Sequence, residues 1–189
     1  MKKTLDNNAL WNEAARAGML FGGVSIGCLA LKELAGLSQN TFMITAAAVI
    51  LWAVEFFGCI LLMKNVQLNL KDKFEGVRME HTFRLGRRAA LLSGLLLATA
   101  QALIIMYMPE ETMDTMMGAL TGNLTSSQRE AVSGIMGKLP LYTFIFQWLY
   151  CFLYGTILSS IMSRYIFVKK LFDDASGNMQ DNDNTPDEQ

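Results

Sequence analysis

This sequence is poor in the residues from which most polar chemistry is built. It carries one histidine and three cysteines. Cys28, Cys59 and Cys151 all fall inside apolar blocks, and no pair has CxxC spacing. An odd count so placed argues against a disulfide framework or a zinc site and fits small packing residues in helices. His81 has no second histidine to complete a metal pair. Catalysis needs several polar groups converging at one place. Here they are scattered, with His81 and Glu80 in one charged segment, Glu55 in an apolar run, and Asp114 and Glu130 elsewhere. No catalytic residue, metal site or cofactor is expected.

Charge is missing in a second sense, from four long blocks. The chain is 52% hydrophobic, with thirteen Met and eleven Phe, and its mean hydropathy is positive despite a polar tail. The apolar residues cluster into spans of about 13–34, 41–63, 89–108 and 139–167, separated by charged segments. Each is long enough to cross a bilayer as a helix. The expected fold is therefore an all-α membrane protein, an antiparallel bundle of four transmembrane helices. Residues 1–10 read as a polar lead, 11–170 as the membrane domain and 171–189 as a disordered acidic tail. From Asp173 onward there are six acids and no base, a composition unable to form a core.

The N-terminus imitates a signal peptide, with Lys2 and Lys3 ahead of an apolar run and a faint lipoprotein box at Ser25–Cys28. Asp6, Glu13 and Arg16 interrupt it, so a retained helix is expected. Trp11 sits where an interfacial aromatic belongs. The fourth span imitates a strand, because Tyr142, Phe144, Phe146, Trp148, Tyr150, Phe152 and Tyr154 alternate. The run is far too long for a strand and has no counterpart with which to close a barrel.

Small residues mark the first span as a packing centre. Ala14, Gly18 and Gly22 are spaced by four, as are Gly23 and Gly27, and such spacing lets helix backbones approach closely in lipid. The partner could be another helix of this chain or a second copy. Residues 64–88 carry seven basic residues, among them Lys71, Lys73, Arg84, Arg87 and Arg88. This segment reads as a loop near anionic headgroups, with Thr82 capping a helix that starts near Phe83. It is too short and too mixed in sign for nucleic acid. Between the third and fourth spans, Ser127–Glu130 reads as a capping box opening a short amphipathic helix toward Gly137. Six Met between Met106 and Met136 could suit Cu(I), but no His or Cys joins them, and flexible filling is the simpler role.

Thirteen of the sixteen Lys and Arg fall on one side of these spans and three, Lys32, Arg129 and Lys138, on the other. That asymmetry places both termini and residues 64–88 in the cytoplasm.

Glu55 is the single charge in the second span. A carboxylate there is costly; it marks either a packing determinant, kept protonated or hydrogen-bonded to a neighbouring helix, or a proton- or cation-coupling site. Candidate partners are Arg16, Ser25, Ser93, Gln101 and Gln147. Arg16 is disfavoured because side chains tilt toward their own helix N-terminus, which carries it and Glu55 apart.

The stretch WNEAARAGMLFGGVSIG at Trp11–Gly27, the acid-bearing second span, and HTFRLGRRAALLSG at His81–Gly94 resemble a known family. It is a bacterial family of small four-span inner-membrane proteins, classed as a domain of unknown function, and the similarity covers about residues 10–170. The resemblance implies four helices and a bacterial inner membrane, and it brings no activity or catalytic residues.

Two functions follow. The first is a small non-enzymatic membrane protein with an accessory or assembly role through helix contacts, its partners being the bilayer and another membrane protein or a second copy. The second is an ion- or proton-coupled transporter using Glu55, with the Gly18/Gly22 face supplying a dimer.

Overall fold

A computed structural model describes residues 3–36, 41–109, 111–113, 115, 118 and 134–180, with Lys3 and 169–180 as backbone alone. Four long helices dominate: α1 (Asn7–Gly36), α2 (Thr41–Lys73), α3 (Met79–Met106) and α4 (Leu139–Gln180). All four are long and apolar enough to cross a membrane, the apolar part of α4 being Leu139–Val168. The chain is an all-α, multi-pass helical membrane protein. Helices are forced because backbone polar groups find no partner in hydrocarbon and must bond within the segment.

The helices outrun their apolar spans at the end bearing residues 64–88, here called the basic end. That stretch is not a loop. α2 continues to Lys73, a tight turn follows through Gly76 at φ 67°, and α3 begins at Met79. At about 1.5 Å per residue, α2 reaches roughly 50 Å, some 20 Å beyond a hydrocarbon core. Thr82 does not cap α3 but lies inside it, donating from Oγ1 to the Met79 carbonyl. The cap belongs to His81, whose Nδ1 accepts the Arg78 N–H at 3.2 Å. Charged residues had marked this segment as loop, yet charge does not stop a helix once its ends have water.

The N-terminal residues are more than a lead. Lys3–Thr4 (β1) pairs in parallel with Phe74–Glu75 (β2), and Asp6 caps α1 through Oδ1 to the Asn7 N–H. This clip covers a core of Leu10, Ala14, Leu70, Phe74 and Leu85, with Leu5 and Val77 packed against it. At the other terminus, α4 runs as helix to Gln180, into the acidic tail expected to be unstructured. Residues 181–189 lie outside the described residues. So does most of the capping-box helix expected at 127–137, of which 134–136 are helical.

α3 is the central helix, packed along both α1 and α4. Its approach to α1 uses the small-residue face foreseen there. A Cβ at Gly18 would lie 2.8 Å from Leu92 Cβ, and one at Gly22 2.9 Å from Leu96; Ala14 is fully buried. The Gly18/Gly22 face is thus consumed within the chain and cannot also supply a dimer. Gly23 and Gly27 point elsewhere, and a Cβ added at either would meet no described atom within 4 Å. On the other side of α3, a Cβ at Gly86 would collide with Ser159, and one at Gly155 with Ala90.

Candidate functional site

α2 divides into two unlike parts. From residue 41 to 62 it has no buried side chain, whereas Met63, Gln67 and Leu70 are buried. Its basic-end half docks firmly, and its other half stands off the bundle. Val49, Ile50, Trp52, Val54, Phe57 and Leu61 are exposed, as suits contact with lipid.

The stand-off leaves a cavity of about 300 Å³ among all four helices, at the small end of ligand-pocket sizes. Its closed end is formed by Phe21, Met63, Ala90 and Leu158, all buried. Its accessible end, toward the 36/41 side, carries Lys32, Gln101, Gln147 and Tyr150. Glu55 lies on this wall with Ser25 and Ser93. Five polar residues singled out from sequence therefore converge, one or two from each helix. Ser93 satisfies its hydroxyl on the Ala90 carbonyl at 3.2 Å, and Gln147 reaches Cys151 Sγ at 3.4 Å.

The partner of Glu55 is Lys32, with Nζ to Oε2 at 3.0 Å and side-chain exposures of 33% and 24%. Arg16 is exposed and has no ion pair among the described residues. The tilt rule that disfavours Arg16 favours Lys32. Lys32 is one turn before the end of α1 and leans into the membrane; Glu55 is about four turns into α2 and leans outward. A lysine stem spans the remaining axial gap while keeping its head near water. Sequence reading missed Lys32 by counting it only as a charge that orients the chain. The signal available was direction: Lys32 tilts toward the depth of Glu55, whereas Arg16 on the same helix tilts away from it.

Aromatic rings were missed as well. Trp52, Phe56, Tyr154 and Tyr150 form a continuous row beside Glu55, with successive centroids 5.6, 6.1 and 6.3 Å apart. The spacing of four between Trp52 and Phe56, and between Tyr150 and Tyr154, places each pair on one helix face. Their period-two alternation in the fourth span had concealed this. Cys59 and Cys151 also line the cavity; Cys28 does not.

Beyond the closed end lies a second polar feature. Gln67, fully buried, donates from Nε2 to the Ser159 carbonyl at 3.4 Å and to Ser159 Oγ at 3.2 Å. Ser159 Oγ in turn donates to the Phe83 carbonyl at 3.2 Å. This node ties α2, α3 and α4 together. It went unread because Gln67 had been placed in a loop.

The basic residues meant for headgroups are partly engaged within the chain. Lys73 pairs with Glu13 at 3.0 Å, Arg84 with Glu80, and Lys71 lies 5.1 Å over the Phe167 ring. Arg88 stacks 4.3 Å over Trp11 and donates to Asn7 Oδ1 at 3.1 Å, while Arg87 is 5.8 Å over Phe83. Trp11, expected as an interfacial ring, is an intramolecular stacking partner. Much of the Met-rich connection lies outside the described residues.

Comparison with protein-family models, curated proteins and solved structures finds no match for this chain.

Proposed function

We propose that this chain is a non-enzymatic bacterial inner-membrane protein with both termini cytoplasmic, and that it binds a small solute in the four-helix cavity as an ion- or proton-coupled transporter. The observation that carries this reading is the convergence of Lys32, Glu55, Gln101 and Gln147 on one partly open cavity. Glu55 is bonded to the neighbouring helix α1 through Lys32, as a packing carboxylate would be, but the pair lines a space large enough for a ligand rather than a closed core. The Lys and Arg asymmetry supports the orientation, so the cavity faces the periplasmic side and its closed end the cytoplasm. The resemblance to four-span inner-membrane proteins agrees with this location and says nothing about substrate.

A transporter must also visit a state open to the opposite face. Cys59 and Cys151 report this directly, because both line the cavity. In oriented vesicles, a membrane-impermeant thiol reagent is expected to modify them quickly from the periplasmic side and slowly from the cytoplasmic side. Modification from one side only would overturn transport.

One observation favours an accessory or assembly role instead. The outer two-thirds of α2 buries no side chain, leaving an apolar face open to another membrane helix or a second copy. Cross-linking through residues of that face, with one-sided cysteine labelling, is the result this second reading expects.

A further inference from the structure

Lys32 places a primary ammonium inside a ring-lined cavity and against a carboxylate. An untethered cation would meet the same surroundings. Glu55 supplies the charge, at a spot where partial burial leaves its attraction for a cation less screened than in bulk water. Trp52, Phe56, Tyr150 and Tyr154 make an aromatic wall, and aromatic rings attract cations, most strongly organic ones that shed water readily. Gln101 and Gln147 stand at the accessible end and can hydrogen-bond without adding charge. Phe21, Met63 and Leu158 close the far end with apolar surface.

Building on the solute-binding reading above, we infer that the cavity binds a lipophilic organic cation, an aryl or alkyl ammonium whose positive head displaces Lys32 from Glu55. Lys32 then acts as a tethered competitor. It holds the carboxylate neutralised while the site is empty and swings to water when ligand arrives, as its 33% exposure permits. A tethered competitor lowers apparent affinity by the fraction of time it occupies the site. Removing it therefore tightens binding rather than loosening it. That sign separates this assignment from a site in which Lys32 is the binding group, which would take anions.

The test uses benzyltrimethylammonium, its uncharged carbon analogue neopentylbenzene, and benzoate. Each is titrated into the purified full chain in detergent, with protection of Cys59 and Cys151 from a maleimide as readout. The expected result is protection by the ammonium, lost by about tenfold or more in affinity in Glu55→Gln and improved by several-fold in Lys32→Ala. Lys32→Gln gives a second route should the alanine variant fold poorly. Equal protection by neopentylbenzene, or protection by benzoate lost in Lys32→Ala, would overturn the cation assignment and leave the cavity a binding site of another chemistry. Rapid modification of both cysteines unaffected by any of the three would overturn the cation assignment alone. Cysteines unreactive in every variant, even toward a small uncharged methanethiosulfonate at alkaline pH where a thiol in the cavity would ionise, would remove the accessible cavity itself, and with it the solute-binding reading.

Discussion

The two ends of this bundle solve the same problem differently. At the basic end, glycines bring backbones together, a strand clip covers the helix termini, and side-chain hydrogen bonds join the helices, although Gln67 Oε1, Arg88 Nη1 and Ser163 Oγ are buried there without a partner among the described residues. Gly86 sits where a methyl group would strike Ser159, and Gln67 and Ser159 join α2 to α4. At the opposite end, α2 withdraws, and the space it leaves is lined by an ion pair, amides and aromatic rings. Membrane helices gain little from burying apolar surface against one another, because lipid is equally apolar. Stability must come from close packing and hydrogen bonds, and those gather at the basic end. The other end is thereby free to keep a cavity and a costly charge.

Substitutions at matched positions break or sharpen this division. The largest effect is expected from Gly86→Val, which drives side-chain atoms into Ser159 and Met63 and should destabilise by about 3 kcal/mol. Reversible unfolding in mixed detergent measures it, and a neutral result would mean the α3–α4 contact is loose. Next comes Gln67→Ala, which removes the bonds to Ser159 and leaves a void. About 2 kcal/mol is expected in the same assay, and cavity ligand affinity should be unchanged.

At the opposite end the same kind of change should matter far less for folding. Glu55→Gln and Glu55→Leu are each expected to cost about 1 kcal/mol or less, since a partly exposed pair at the open end of a cavity contributes little to folding. Thermal denaturation in detergent decides this. A Leu variant that fails to assemble while Gln behaves normally would make Glu55 a hydrogen-bonding strut and collapse the contrast between the two ends. The smallest effect belongs to Gly27→Ala. With no described neighbour within 4 Å, the methyl should stabilise α1 by about 0.5 kcal/mol through helix propensity. Destabilisation accompanied by a fall in particle size would instead show that a second copy covers the Gly23/Gly27 face.

Much of the site was legible in pieces. Glu55, Gln101, Gln147, Ser25 and Ser93 stand out in sequence because polar groups in apolar spans are conspicuous, and all five meet at the cavity. Arg16 was conspicuous for the same reason and is absent from it. Lys32, inside the expected first span, is counted only as a charge that orients the chain, and Gln67 falls in a stretch whose charge suggests a loop. Charge marks where a span leaves the hydrocarbon but not where its helix ends, since Lys, Gln and Glu continue a helix as readily as Leu does.

Sequence by itself determined four apolar helices, their order and the extreme isolation of Glu55, because hydrocarbon permits only helices or closed barrels and tolerates little charge. Tertiary structure alone decided which small-residue face was used, that Gly18 and Gly22 meet α3 while Gly23 and Gly27 do not, and that Glu55 holds Lys32. Those outcomes depend on the rotation and axial offset of each helix against its neighbours. Those quantities are set by contacts between distant residues, not by the period of any one span.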